Sequence, residues 1–134
     1  MKRALPKRDL PRQSLAISVN TVSACMNAAD PAAKLSGETL SLTFQGELST
    51  AGKSKRPIVV VVRKRDMPVG GRVYPQRRVL NVWLNLSSVH FSDVLTMALS
   101  GALSSIELTT EKLQRDAGDV FGVRFTTGEI QSTH

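Results

Sequence analysis

The sequence predicts an α+β fold, with an N-terminal β-hairpin and an antiparallel sheet followed by two C-terminal helices. Three observations carry this. TLSLTFQGEL and RRVLNVWLNLSSV each alternate apolar and polar residues with period two, the pattern of a half-buried strand. Between them, RPIVVVV is a run of β-branched residues opened by Pro57. After Phe91 the period changes, and Leu95, Ala98, Leu99, Ala102, Leu103 and Ile106 fall on one helical stripe.

In chain order, the opening MKRALPKRDLPR combines charge with two prolines, so residues 1–12 are expected to form a basic arm outside the core. Leu15, Ile17 and Val19 alternate with Ala16, Ser18 and Asn20, which starts the sheet region at residues 13–90. NAADPAAKLSGE supplies turn chemistry before Leu40, Leu42 and Phe44 face one way and Ser41, Thr43 and Gln45 the other. The Val run follows, and DMPVGGRVYPQ is expected to be a long loop with Gly70 and Gly71 at its tip. In the next strand Leu80, Val82, Leu84 and Leu86 share one face, with Arg78 starting that parity, while Arg77, Val79, Asn81, Trp83 and Asn85 share the other.

Residues 91–117 are expected to hold the two helices. Ser92 or Asp93 can cap the first, Gly101 sits inside it at about 1 kcal/mol relative to Ala, and the second runs from Thr110 through Arg115 with Gly118 as its stop. Residues 118–134 form a tail of ambiguous pattern. A chain of 134 residues fits one domain. With only 4% aromatics its core must come from Val, Leu, Ile and Ala.

The net charge is +7, but it is unevenly placed. Residues 1–12 hold five basic groups against one acidic and residues 53–78 hold nine against one, whereas the rest of the chain is acidic. Such clustering points to a polyanionic partner, with nucleic acid the leading class and a solvated basic surface the plain alternative. The run Ile58 to Val62 is far too short to span a bilayer as a helix, which takes about 20 residues. The basic start and the segment ending at Cys25 look superficially like a lipoprotein signal, but Ser18, Asn20 and Thr21 interrupt its apolar part. Cys25 is the only cysteine, so there is no intrachain disulfide, and it is expected to pack half-buried as a small hydrophobe.

No phosphate-cradling glycine loop, metal-ligand spacing or nucleophile with a base is visible. His90 and His134 are the only imidazoles, so neither enzyme activity, a cofactor nor a small-molecule substrate is expected. A polar sheet face can instead offer donors to phosphates and base edges. Trp83 falls on that face, where it either stacks a base or plugs the sheet against a neighbouring chain.

The stretch LTFQGELSTAGKSKRPIVVVVRKRDMPVGGRVYPQRRVLNVWLNLSSVHFSDVLTMALSGAL resembles the coat proteins of single-stranded RNA bacteriophages of the levivirus type. It shares their short basic turn, the VGG in the following loop, the LNVWLNL strand and the apolar helix, over roughly residues 38–117. The resemblance implies an interlocked homodimer in which the helices pack across the partner's sheet and cover the apolar rows. It implies a virion subunit, assembled in the host bacterial cytoplasm into an icosahedral shell that packages single-stranded RNA and represses replicase translation through an RNA hairpin. By strand position it assigns RNA binding to Ser41, Thr43, Gln45, Lys55, Arg63, Arg77, Asn81 and Asn85, with Lys53 and Arg56 at the turn and Val59 and Val61 on the same side. The loop Asp66 to Gln76 would surround the capsid axes, where Gly70 and Gly71 permit more than one conformation. A basic dimeric regulatory module binding RNA or DNA outside any capsid is the alternative.

Overall fold

The computed structural model describes residues 12–27, 39–49, 55–65 and 68–128; residues 1–11 of the expected arm, and Lys53, lie outside them. Among these described residues seven strands and one helix follow in order: β1 Arg12–Asn27, β2 Thr39–Ser49, β3 Lys55–Lys64, β4 Gly70–Gln76, β5 Val79–Leu86, α1 Ser88–Leu99, β6 Leu103–Glu111 and β7 Gly118–Thr127. The strands close into a barrel in the order β1-β2-β3-β5-β4-β7-β6. All neighbours are antiparallel except β3 and β5, which run parallel. The expected α+β fold with two C-terminal helices is therefore replaced by an all-β barrel with a single helix.

Alternation decides which side of each strand turns inward. Leu42 and Phe44 on β2, Val60 and Val62 on β3, Val82 and Leu84 on β5, and Ile106 and Leu108 on β6 are all at most 1% exposed. Burying a side chain of this kind stabilises by about 1.5–3 kcal/mol, so the barrel interior holds the fold together. The rows on β2, β3 and β5 are those for which a partner's helices were expected as cover. The single chain buries them by curling its own sheet, so they no longer argue for an interlocked dimer.

The helix is shorter and earlier than its stripe predicted. Ser87 caps α1, its side chain accepting from the His90 N–H at 3.5 Å, and Gly101 with φ 74 follows the Ser100 C-cap. Gly101 is thus a stop signal rather than an interior residue. Phe91 and Val94 are buried against the barrel, while Leu99 is 75% exposed. The predicted stripe failed because Leu103 and Ile106 belong to β6. A bulge between Leu103 and Ser105 puts these two residues on the same side, so three-residue spacing imitates a helix.

The expected second helix, Thr110 through Arg115, is the end of β6 and a tight turn. Gln114 and Ala117 exchange backbone hydrogen bonds of 3.0 Å around Arg115 (φ 52) and Asp116 (φ 64), both in the left-handed region that a primed hairpin turn requires. The tail region from Gly118 to Thr127 is β7, which seals the barrel by pairing with both β6 and β4.

The expected capsid-axis loop is also largely strand. Gly70–Gln76 forms β4, paired with β5 on one side and β7 on the other. A β-carbon on Gly71 would overlap the Trp83 carbonyl oxygen, so this glycine permits close strand approach rather than conformational freedom. Asp66 and Met67 lie outside the described residues.

Candidate nucleic-acid interface

Barrel closure sets outward side chains of β2, β3, β5 and β4 in registered rows. Across the centre stand Thr43, Val61, Trp83 and Arg72, continued on β7 by Asp119. One row towards the helix end stand Ser41, Arg63, Asn85 and Gly70; one row the other way stand Gln45, Val59, Asn81 and Tyr74. Of the residues assigned to RNA binding, Ser41, Thr43, Gln45, Arg63, Asn81, Trp83 and Asn85 thus share one continuous outer face.

At its centre is an open depression of about 430 Å³ lined by Val61, Arg63, Arg65, Tyr74, Asn81, Val82, Trp83 and Asn85. Trp83 is 37% and Tyr74 36% exposed, and they occupy diagonal positions on paired strands, within reach of aromatic side chains. An exposed aromatic ring holds an apolar face against water, and stacking on a base removes that face from water. Arg63 stands beside Asn85 across β3 and β5, and the Arg65 N–H donates to the Leu86 carbonyl at 2.8 Å, holding the chain against β5 just past the end of β3. Neither guanidinium is ion-paired to a carboxylate among the described residues.

Two polar groups are already committed. Arg72 donates to Asp119 at 2.9 Å, and the Asn81 side-chain amide donates to the Val79 carbonyl at 3.2 Å. Val59 and Val61 are half-buried on this face, and Val61 helps line the depression.

The remaining assigned residues stand apart. Lys55 lies eight residues from Arg63 along β3, about 26 Å at strand rise. Arg56, at the same end, is paired with Asp116 at 3.1 Å. Arg77 occupies the exposed β4–β5 turn at that end, with φ 60. Cys25 is exposed on β1, not half-buried.

Arg65, Arg72 and Tyr74 belong to the face but were not singled out from sequence. The signal was present in RVY, where Val73 is inward and its neighbours outward, but the glycine pair before it and Pro75 after it read as a loop. Among the described residues no group of three or more His, Cys, Asp or Glu is placed to hold a metal. No helix among them is long and apolar enough to cross a membrane. Comparison with protein-family models, with curated proteins and with solved structures finds no match to the chain.

Proposed function

We propose that this protein binds single-stranded nucleic acid, RNA foremost, on the outer face of β3, β5 and β4. The observation that carries this is the pair Trp83 and Tyr74, both exposed at diagonal positions and lining one depression with Arg63 and Arg65. Single-strand binders combine cationic groups that follow the backbone with aromatic faces on which bases stack. A duplex hides its base faces, so the aromatic pair favours an unpaired strand. Asn85, two residues from Trp83 on β5, can address base edges, whereas Asn81 keeps only its amide oxygen and second amide hydrogen for that use. The basic segment at residues 53–78, which includes β3 and β4, supplies the attraction.

The role built on that binding is read from the sequence resemblance, which favours a coat subunit that packages RNA within a shell. The competing role is a small regulatory RNA- or DNA-binding module. Expression of the full chain, followed by size exclusion, negative-stain microscopy and nuclease treatment, separates them. Uniform particles holding nuclease-protected RNA support the coat role, and a small species that binds oligonucleotides supports the module. Failure to bind any single strand at low salt overturns the binding proposal itself.

A further inference from the structure

The seams of the barrel are unequal. β4 and β7 are in register only where residues 71–73 meet residues 118–120, whereas every other pair of neighbouring strands is registered over at least twice that length. Side chains clasp this short seam. Arg72 donates to Asp119 within it at 2.9 Å, and Arg56 on β3 meets Asp116 in the β6–β7 turn at 3.1 Å. β3 and that turn are not neighbours in the strand order, so the second pair spans the end of the barrel.

Charge is divided the same way in both pairs. The arginines belong to the basic segment at residues 53–78, and the carboxylates belong to the β6–β7 hairpin. The hairpin is also fastened away from the seam. β6 pairs with β1 from Arg12 to Ser18, the Arg12 guanidinium lies 4.9 Å from the centre of the Phe121 ring, and Phe125 packs 5.9 Å from Phe44. Residues 114–120 can therefore part from β4 while the rest of the barrel stays folded.

The paired side chains are between 28% and 47% exposed, and ion pairs so exposed to solvent are weak. A phosphodiester carries the same charge as a carboxylate and accepts from the same guanidinium donors. Arg72 is registered opposite Trp83, and Arg56 lies five residues along β3 from Val61 in the same row, about 16 Å at strand rise. An extended oligonucleotide covers that span.

We propose that the end of the β6–β7 hairpin is an internal competitor for nucleic acid, an inference that rests on the binding face described above. A bound single strand takes Arg56 and Arg72 from Asp116 and Asp119, and the β4–β7 seam opens. By linkage, a seam held shut weakens binding by the same factor that binding favours opening.

Hydrogen exchange on the full chain, with and without saturating oligouridine RNA, tests this. Peptides spanning residues 114–121 are expected to exchange at least about threefold faster with RNA bound, whereas those of β2 and β3 do not accelerate. Asp116→Asn with Asp119→Asn should make the seam fast in the free protein and leave RNA little to add. Directly paired residues of antiparallel strands lie within disulfide range, so Arg72→Cys with Asp119→Cys, in a Cys25→Ser background, locks the seam. The oxidised form should show no RNA-induced acceleration and should bind RNA more weakly than the reduced form of the same variant. This comparison decides the matter even if the asparagine variant fails to fold. RNA that binds by anisotropy but leaves residues 114–121 unchanged or protected, or equal affinities of the oxidised and reduced forms, overturns this proposal alone. Absence of any RNA binding overturns the binding reading and this proposal with it.

Discussion

Arg72 is the cross-strand partner of Trp83, and its guanidinium is paired with Asp119 at 2.9 Å. The cation registered opposite the indole is thus partly neutralised by its neighbour on β7. Asp119→Asn removes that neutralisation and is expected to tighten single-strand binding several-fold, steepening the salt dependence by up to about 0.7 in log–log slope. Because the pair is substantially solvent-exposed, the stability change should stay below about 1 kcal/mol. Titrations at several salt concentrations, with a thermal melt alongside, check both expectations.

Stacking rather than charge should dominate at the centre of the face. Trp83→Ala and Tyr74→Ala are each expected to cost about 1–3 kcal/mol of single-strand affinity while leaving the salt slope unchanged. Both side chains point outward, so the barrel should fold normally. Fluorescence anisotropy with a labelled oligonucleotide measures the loss, and an unchanged affinity for both variants would remove stacking from the account.

Arg63 and Arg65 should behave in the opposite way. Replacing both with Ala is expected to weaken binding across all sequences and to lower the log–log salt slope by about 1.4, near 0.7 for each phosphate that is no longer neutralised. A slope that does not move would assign these guanidinium groups to solvent.

Arg77 offers a way to separate stability from binding. It holds φ 60, a conformation that favours glycine, in the two-residue turn between β4 and β5. Arg77→Gly relieves that strain but loosens the unfolded chain, so the melting temperature should stay level or rise slightly, by no more than the equivalent of about 1 kcal/mol. If the strand of nucleic acid reaches this end of the barrel, affinity falls nonetheless, and calorimetry with binding data on the same samples distinguishes the two effects.

Gly71→Ala should be costly for a local reason. The added methyl meets the Trp83 carbonyl oxygen and approaches Leu84 Cδ2 to 2.9 Å, and backbone cannot give way cheaply. A loss of about 2 kcal/mol or more, read by chemical denaturation, is expected, together with weaker binding as β4 shifts relative to Trp83.

The strand interiors were legible because alternation survives any topology: Leu42, Phe44, Val60, Val82 and Leu84 turn inward in a barrel just as they would in an open sheet. What alternation does not contain is the identity of the neighbouring strand, so the parallel pairing of β3 with β5 and the insertion of β4 were invisible. β6 was lost to a bulge whose spacing mimics a helix. The hairpins around Arg77–Arg78 and Arg115–Asp116 were lost because neither turn uses the glycine or asparagine such turns favour. The outer face was partly legible for the same reason as the core, since residues opposite a buried row must point out. Arg72 and Tyr74 went unseen only because their strand did.

Trp83 is the only tryptophan in the chain, so its emission reports directly on the proposed stacking site. Titration of the intact protein with a short unlabelled single-stranded RNA, followed by intrinsic fluorescence and in parallel by anisotropy of a labelled copy, tests the central claim. The expected result is saturable quenching of Trp83 emission that tracks the anisotropy curve and disappears in about 1 M salt. Binding that saturates by anisotropy while Trp83 emission stays unchanged would place the nucleic acid elsewhere on the protein and contradict the account.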